Sequence, residues 1–238
     1  YTDGPVREFM IACLKAPALR WVQSSAAGFE HPVFGKLVGN GVALTNANAS
    51  AVPIAEFVMA GVLDVFHPHR RRRELQASRE WETTPFRDVA GTTWLVFGLG
   101  AIGNEVAKRA RAFGAHVIGV RRSPTGEEGV DEMIAPEAVL DNVGRVDVVV
   151  LTAALNDATR HTVNEPFVAR MRANSVLVNV GRGGLVDESA LLAGLDRDRP
   201  STAVLDVFDT EPLPGDSPFW EHPKVRLTAH CAGASPGT

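Results

Sequence analysis

The chain has 238 residues and a formal net charge of −4, and 45% of its residues are hydrophobic, which is typical of a packed globular protein. The slightly acidic balance argues against a nucleic-acid-binding protein, and no apolar run approaches the ~18 residues of a membrane span. Only two cysteines occur, Cys13 and Cys231, so we expect no disulfide framework, no metal site and a cytoplasmic location. The start at Tyr1 and the loop-like sequence after Ala232 suggest a piece of a longer protein.

The first part of the chain has few clear elements. The patterns predict short strands over residues 20–24 and 42–45, and then a helix over residues 52–75 that Pro68 kinks or breaks. The run Arg70–Arg73 is typical of a solvated helix face, with an anionic partner as the alternative.

From Thr92 onward, apolar strands alternate with helices, as in an α/β protein. The predicted strands cover residues 94–97, 116–120, 147–152, 175–180, 202–207 and 225–228, and the predicted helices cover 102–113, 136–142, 165–170 and 188–195. Asp187 is in place to cap the last helix. Continuous apolar strands are expected where helices cover both faces of a parallel sheet, so we predict a doubly wound sheet.

These elements suggest four segments. Residues 1–52 are predicted to be part of a smaller substrate domain, and residues 53–86 a helical region between domains that also forms a homodimer. Residues 87–230 are predicted to form the sheet domain, and residues 231–238 to start the return to the substrate domain. Trp81 is expected to pack or to reach a substrate pocket across the dimer.

A glycine-rich loop follows the first strand of the predicted sheet and opens a helix, with the sequence Gly98-Leu99-Gly100-Ala101-Ile102-Gly103. In this context a G-x-G-x-x-G pattern is typical of a Rossmann-type dinucleotide-binding domain. The first glycine permits the turn, the second lets the backbone approach a pyrophosphate, and the third lets helix and strand pack closely. S-adenosylmethionine is the alternative ligand. The other alternative is a tight turn between strand and helix that binds no ligand.

The end of the second strand indicates which dinucleotide is bound. An acidic residue ~20 positions along binds the 2′-hydroxyl of NAD, whereas arginine suits the 2′-phosphate of NADP. Here Arg121, 18 positions after Gly103, follows the strand, and Arg122 and Ser123 come next. Guanidinium groups and a hydroxyl are good phosphate donors, so we favour NADP(H), with NAD(H) possible. The alternative is a pair of solvated arginines.

Three later segments carry polar residues just past strand ends, where the ligand crevice of an open α/β sheet lies. They contain Arg182 in Val178–Glu188, Glu211 in Leu205–Pro214, and His230 in Leu227–Ala234. With these segments in this order behind a glycine loop, the chain resembles the D-isomer-specific 2-hydroxyacid dehydrogenase family. The phrase from Glu211 to Pro223 is similar to its glyoxylate/hydroxypyruvate reductase branch.

The resemblance implies a flavodoxin-like substrate domain, a cleft between two domains, and Arg182, Glu211 and His230 as catalytic residues. It further implies that Ala27 and Gly28 offer backbone amides to the substrate carboxylate and that Asp206 holds the nicotinamide carboxamide. Other residues implied to line the cofactor are Thr152, Thr159, Val180, Gly181, His230 and Ala232.

The chemistry of these side chains agrees with that implication. Reduction of a 2-keto acid needs a hydride on the carbonyl carbon and a proton on the oxygen. Arg182 can bind the carboxylate and polarise the keto oxygen, and His230 can donate the proton because histidine titrates near neutral pH. A carboxylate such as Glu211 would favour the charged imidazolium and fix its ring.

Two other classes of function stay open at this point. A dinucleotide-sensing, partner-binding protein would keep the same residues and show little turnover, as the C-terminal-binding-protein corepressors resemble this family too. A methyltransferase would leave the segments of Arg182, Glu211 and His230 without a purpose and is disfavoured.

Overall fold

A computed structural model describes residues 5–24, 28, 29, 31–123, 126 and 129–235. The chain divides into two compact units, Tyr1–Ser50 with Ser235–Thr238, and Ala51–Ala234. In the described part no single helix is both long and apolar enough to cross a membrane, although the consecutive helices Ala51–Phe66 and His69–Ser78 together have such a length and composition across a 58° bend.

The smaller unit is a two-stranded parallel sheet with two helices. Its elements are α1 (Pro5–Lys15), β1 (Trp21–Ser24), α2 (Pro32–Gly39) and β2 (Ala43–Asn46). Both strands lie within one residue of their predicted bounds, whereas neither helix was predicted. The unit has its own small core, made by Cys13, Val22, Val33, Phe34, Leu37 and Val42.

The larger unit begins with two helices joined at a sharp bend. Helix α3 (Ala51–Phe66) ends just before Pro68, and α4 (His69–Ser78) starts just after it at 58° to α3, so the predicted break is confirmed. In α4, the exposed Arg71 pairs with Glu82 at 2.8 Å, and the half-buried Arg72 donates to Thr84 at 2.9 Å.

Seven parallel strands form the sheet, in the order β5-β4-β3-β6-β7-β8-β9. The strands are β3 (Thr93–Phe97), β4 (His116–Val120), β5 (Glu132–Ile134), β6 (Val148–Leu151), β7 (Val176–Asn179), β8 (Thr202–Leu205) and β9 (Val225–Leu227). All were predicted except β5, a three-residue edge strand that contains a charged residue. The strand order reverses between β3 and β6, and the carboxyl ends of strands at such a point form the ligand crevice.

Helices cover both faces of this sheet, which confirms the doubly wound fold. They are α3 and four later helices, α5 (Ala101–Ala112), α6 (Val139–Asn142), α7 (Glu165–Arg170) and α8 (Glu188–Asp196). Because side chains alternate along a strand, Trp94 and Val96 pack in the core that contains residues of α3 and α5, and Leu95 and Phe97 in the core that contains residues of α6–α8. Each such fully buried side chain stabilises the fold by about 1.5–3 kcal/mol.

Candidate active site

The glycine loop connects β3 to α5 and is shaped by close contacts. Gly98 has a φ of +102°, which favours glycine, and a Cβ atom at Gly103 would overlap the carbonyl oxygen of Gly98. Thr152, at the end of the neighbouring β6, donates to that same carbonyl at 2.6 Å. Gly100 differs, because no atom lies within 4 Å of the place where its Cβ would be. A backbone open at Gly100, at the N-terminus of α5, fits a pyrophosphate.

Arg121 directly follows β4 and lies against the glycine loop. Its guanidinium donates to the carbonyl of Leu99 at 3.2 Å. Arg122 and Ser123 come next and are exposed. The described residues directly after β4, 121–123, include no carboxylate of the kind that an NAD-binding domain carries there, so they fit a dinucleotide with a 2′-phosphate.

The loop after β7 presents Arg182. Asn179, the last residue of β7, is 1% exposed, and both the nitrogen and the oxygen of its side-chain amide form hydrogen bonds with this loop. Its Nδ2 donates to the carbonyl of Arg182 at 2.9 Å, and its Oδ1 accepts from the amide of Gly181 at 3.1 Å. The Arg182 guanidinium donates to the carbonyl of Gly181 at 2.7 Å. A Cβ atom at Gly183 would overlap the backbone of Phe208, so the loop packs tightly against the segment after β8.

The turn after β9 presents His230 and is fastened to Asp206. The Asp206 side chain is 2% exposed and accepts from the Thr228 hydroxyl at 2.5 Å and from the amides of Cys231 and Ala232 at 2.8 and 2.9 Å. The Asp206 carbonyl accepts from the amide of His230 at 2.8 Å. His230 itself has a φ of +50°, a conformation uncommon for a residue with a side chain.

Glu211 and His230 are joined by a hydrogen bond at the same edge of the sheet. The Nδ1 atom of His230 lies 2.7 Å from Oε2 of Glu211, and the other carboxylate oxygen, Oε1, accepts from the amide of Phe208 at 2.9 Å. Because an ionised carboxylate only accepts, Nδ1 carries the hydrogen of this bond. The second ring nitrogen, Nε2, is therefore the one that can carry a transferable proton.

The remaining predicted residues are distributed around these loops or lie elsewhere. Val180 and Ala232 are buried, and Thr159 caps its own turn by donating to the carbonyl of Ala154 at 2.8 Å. Gly28 lies in the smaller unit, and Ala27 lies outside the described residues. Trp81 is fully exposed, so the expectation that it packs within the chain is wrong.

Two residues of the site were not predicted from the sequence. Asn179 and Thr228 each bond to the loop or strand end beside a predicted catalytic residue. The only available signal was that polar residues stand at the ends of buried strands. Over the described ranges, no three His, Cys, Asp or Glu side chains are grouped so that they could hold a metal ion.

The parallel sheet with its glycine loop at the point where the strand order reverses defines a dinucleotide-binding domain. Residues 59–232 match the model of the D-isomer specific 2-hydroxyacid dehydrogenase, NAD binding domain. The chain therefore belongs to the D-isomer-specific 2-hydroxyacid dehydrogenase family, as its motifs indicated.

Similar proteins differ in length and in the activity for which they are named. A D-3-phosphoglycerate dehydrogenase of Methanocaldococcus jannaschii is 33% identical over 93% of this chain, which spans 43% of that protein. A glyoxylate reductase of Korarchaeum cryptofilum is 32% identical over 92% of this chain and 68% of that protein. The solved structure of an NADPH-dependent glyoxylate/hydroxypyruvate reductase from Sinorhizobium meliloti, in complex with NADP and sulfate, has a TM-score of 0.81 at 30% identity, over 98% of this chain and 73% of that one.

Proposed function

We propose that the protein is an NADPH-dependent reductase of small 2-keto acids such as glyoxylate or hydroxypyruvate. The observation that carries this proposal is the 2.7 Å pair between His230 and Glu211, placed after β9 and β8 at the same sheet edge as Arg182 and the glycine loop. Membership of the family and the similarity to an NADPH-dependent reductase support the reaction class.

The cofactor would be held by the glycine loop and by the residues after β4. The open backbone at Gly100 and the N-terminus of α5 would bind the pyrophosphate, and Arg121, Arg122 and Ser123 would bind the 2′-phosphate. When bound, the dinucleotide supplies the hydride, while the chain supplies position and electrostatics.

Arg182 would bind the carboxylate and the keto oxygen of the substrate, and His230 would protonate the keto oxygen. The guanidinium of Arg182 binds the carboxylate in its planar fork and stabilises the negative charge that develops on the keto oxygen. His230 delivers a proton from Nε2 to that oxygen as the carbonyl carbon is reduced, and the imidazolium becomes neutral imidazole. Glu211 holds the ring through Nδ1, so that Nε2 keeps one direction throughout the reaction.

Turnover by the full-length protein tests this proposal. We would follow the absorbance of NADPH and, separately, of NADH with glyoxylate, hydroxypyruvate, pyruvate and a bulkier keto acid. Turnover that is faster with NADPH supports the roles of Arg121 and the catalytic residues together. Turnover that favours NADH would contradict the 2′-phosphate assignment alone, and cofactor binding without any turnover would favour the dinucleotide-sensing alternative.

The homodimer and the cytoplasmic location are also proposals. The segment after α4 supports the dimer because it displays the fully exposed indole of Trp81 and the half-exposed ring of Phe86. Large apolar side chains that are exposed in one chain can be buried in an interface between two chains. Sedimentation of the wild type and of Trp81→Ala tests this, since a dimer formed through this segment should weaken in the variant.

A further inference from the structure

Two buried polar side chains lie at the carboxyl ends of the adjacent strands β7 and β8. Both form hydrogen bonds to loops. Asn179 ends β7 and uses both amide atoms on the loop of Arg182, and Asp206 follows β8 and uses both carboxylate oxygens on the turn of His230. The pairing of β7 with β8 is made by backbone groups and does not need either side chain. These side chains therefore serve the loops that carry the proposed catalytic groups.

The turn of His230 is held firmly in a conformation that it would not adopt readily. A left-handed residue with a side chain costs of order 1–3 kcal/mol and persists only when its surroundings enforce it. Asp206 supplies the enforcement, with four hydrogen bonds to the hydroxyl of Thr228 and the amides of His230, Cys231 and Ala232.

The two anchors are also bonded to each other. The amide of Asp206 donates to the carbonyl of Asn179 at 3.0 Å. The loop of Arg182 and the turn of His230 are thus fastened to one rigid point in the sheet, and a shift of either anchor would change the distance between the guanidinium and the imidazole. A misplacement of about 1 Å can cost ~10²-fold in rate.

We propose that Asn179 and Asp206 are a linked pair of positioning residues that set Arg182 and His230 relative to each other. This inference rests on the proposed function of those two residues. It differs from the carboxamide role that the family resemblance implies for Asp206, because both oxygens of Asp206 accept hydrogen bonds from the turn of His230.

The first test is a double-mutant cycle on the full-length enzyme. Asn179→Ala should lower kcat/KM by about 100-fold in the wild type, but by far less in an Arg182→Ala background, because the group that Asn179 places is then absent. Asn142→Ala is the matched control, since Asn142 also uses both amide atoms, on Ala138 and Arg145, away from the site. It should lower Tm comparably and leave kcat/KM unchanged.

The second test reaches Asp206 without altering a residue assigned to the cofactor. Thr228→Val removes the hydroxyl that bonds to Asp206 and should lower kcat with the Kd for NADPH unchanged. Thr92→Val is its control, because the Thr92 hydroxyl bonds to the carbonyl of Val89 at the opposite end of the strands. It should lower Tm without a change in kcat.

Hydrogen exchange separates this inference from the proposed function. Exchange at the amides of residues 181–183 should accelerate in Asn179→Ala, and exchange at residues 230–232 in Thr228→Val, with neither change in the control variants. An equal loss of kcat/KM from Asn179→Ala in both backgrounds, or unaltered exchange, would overturn the inference. A wild-type protein without turnover would instead overturn the proposed function, and with it the catalytic purpose of the pair.

Discussion

A buried aspartate lies at each end of the strands of the large sheet, here called the amino edge and the carboxyl edge. The two aspartates have different hydrogen-bond partners. At the amino end Asp147 bonds to the amide of Thr93 at 2.8 Å and pairs with Arg172 at 2.8 Å and Arg87 at 2.6 Å. At the carboxyl end, the donors that the described residues offer to the Asp206 side chain are neutral, namely one hydroxyl and two backbone amides.

The two aspartates have different roles, because their hydrogen-bond partners differ. Arginine partners at Asp147 compensate the buried charge and connect the start of β6 to the segment before β3 and to the segment before β7, which is a contribution to stability. The neutral donors at Asp206 come from a single turn, so this carboxylate fixes the conformation of that turn. We therefore expect substitutions at the carboxyl edge to act on activity and substitutions at the amino edge to act on stability.

The largest effect should come from His230→Gln. Loss of the proton donor should lower kcat by about 10²–10⁴-fold, whereas the free energy of unfolding should change little because half of the ring is exposed. His116→Gln, at the amino end of β4, is the matched control and should leave kcat unchanged. A fully active His230→Gln enzyme would remove the main distinction between the two edges.

Two glycines of the carboxyl edge should respond differently to substitution by alanine. Gly103→Ala should destabilise the fold by about 1–3 kcal/mol and abolish cofactor binding, because its Cβ would overlap the Gly98 carbonyl. Gly100→Ala has open space around the new atom, so only NADPH binding should weaken. NADPH fluorescence titration and thermal unfolding measure both effects, and equal destabilisation by the two variants would contradict the distinction.

Arg121→Ala tests the cofactor assignment at the same edge. Loss of a charge-assisted bond worth about 1.5–3 kcal/mol should weaken NADPH binding by roughly 10–100-fold and leave NADH binding unchanged. Arg111→Ala is the control, since Arg111 pairs with Asp131 away from the loop. If the affinity for NADH falls as much as that for NADPH, Arg121 does not read the 2′-phosphate.

At the amino edge, Asp147→Asn should have a moderate and purely structural effect. The free energy of unfolding should fall by about 1–3 kcal/mol, because Arg87 and Arg172 lose their charged partner. Chemical denaturation gives this value, and kcat should stay at the wild-type level. A drop in kcat for the folded variant would show that the edges are coupled.

The smallest effect should come from Asp187→Ala, which removes the cap of α8. The Ser189 hydroxyl, followed by the amide of Ala190, lowers the pKa of Asp187 below its ordinary value. Since the pKa is depressed in the folded state, the cap stabilises fully above the unfolded pKa of ~3.9 and is lost as the pH falls through the folded value. Denaturation at neutral pH should show a loss of about 1 kcal/mol that shrinks in acid. A loss that persists in strong acid would mean that packing is responsible.

Most of the large sheet could be predicted because its strands are continuous apolar runs and the glycine loop has a recognisable spacing. Helix α2 was missed because Gly35 and Gly39 weaken its helical pattern, and β5 because three residues give no periodicity. Helix 136–142 was predicted as one element, whereas residues 136–138 form a 3-10 turn before α6.

Only part of the candidate active site could be predicted from the sequence. Arg182, Glu211 and His230 stand just past strand ends, so their place could be inferred from the topology of a parallel sheet. The anchoring bonds could not be inferred, because Asp206 and its partners are separated by 22–26 positions and nothing in the periodicity specifies that pairing. The positive φ of His230 follows from those bonds and was hidden for the same reason.

The attachment of the His230 turn to Asp206 has a consequence for synthesis on the ribosome. The chain emerges from its amino terminus, so the glycine loop and Arg182 leave the ribosome before β9 does. Until residues 228–232 arrive, Asp206 has no donors for its carboxylate, and burying it in that state is costly. Docking of β9 beside β8 adds the last strand of the sheet. It brings the hydrogen-bond donors of Asp206 and the His230 side chain into place together. The proposed proton donor and its attachment to Asp206 therefore both depend on β9, the last strand of the sheet to be synthesised.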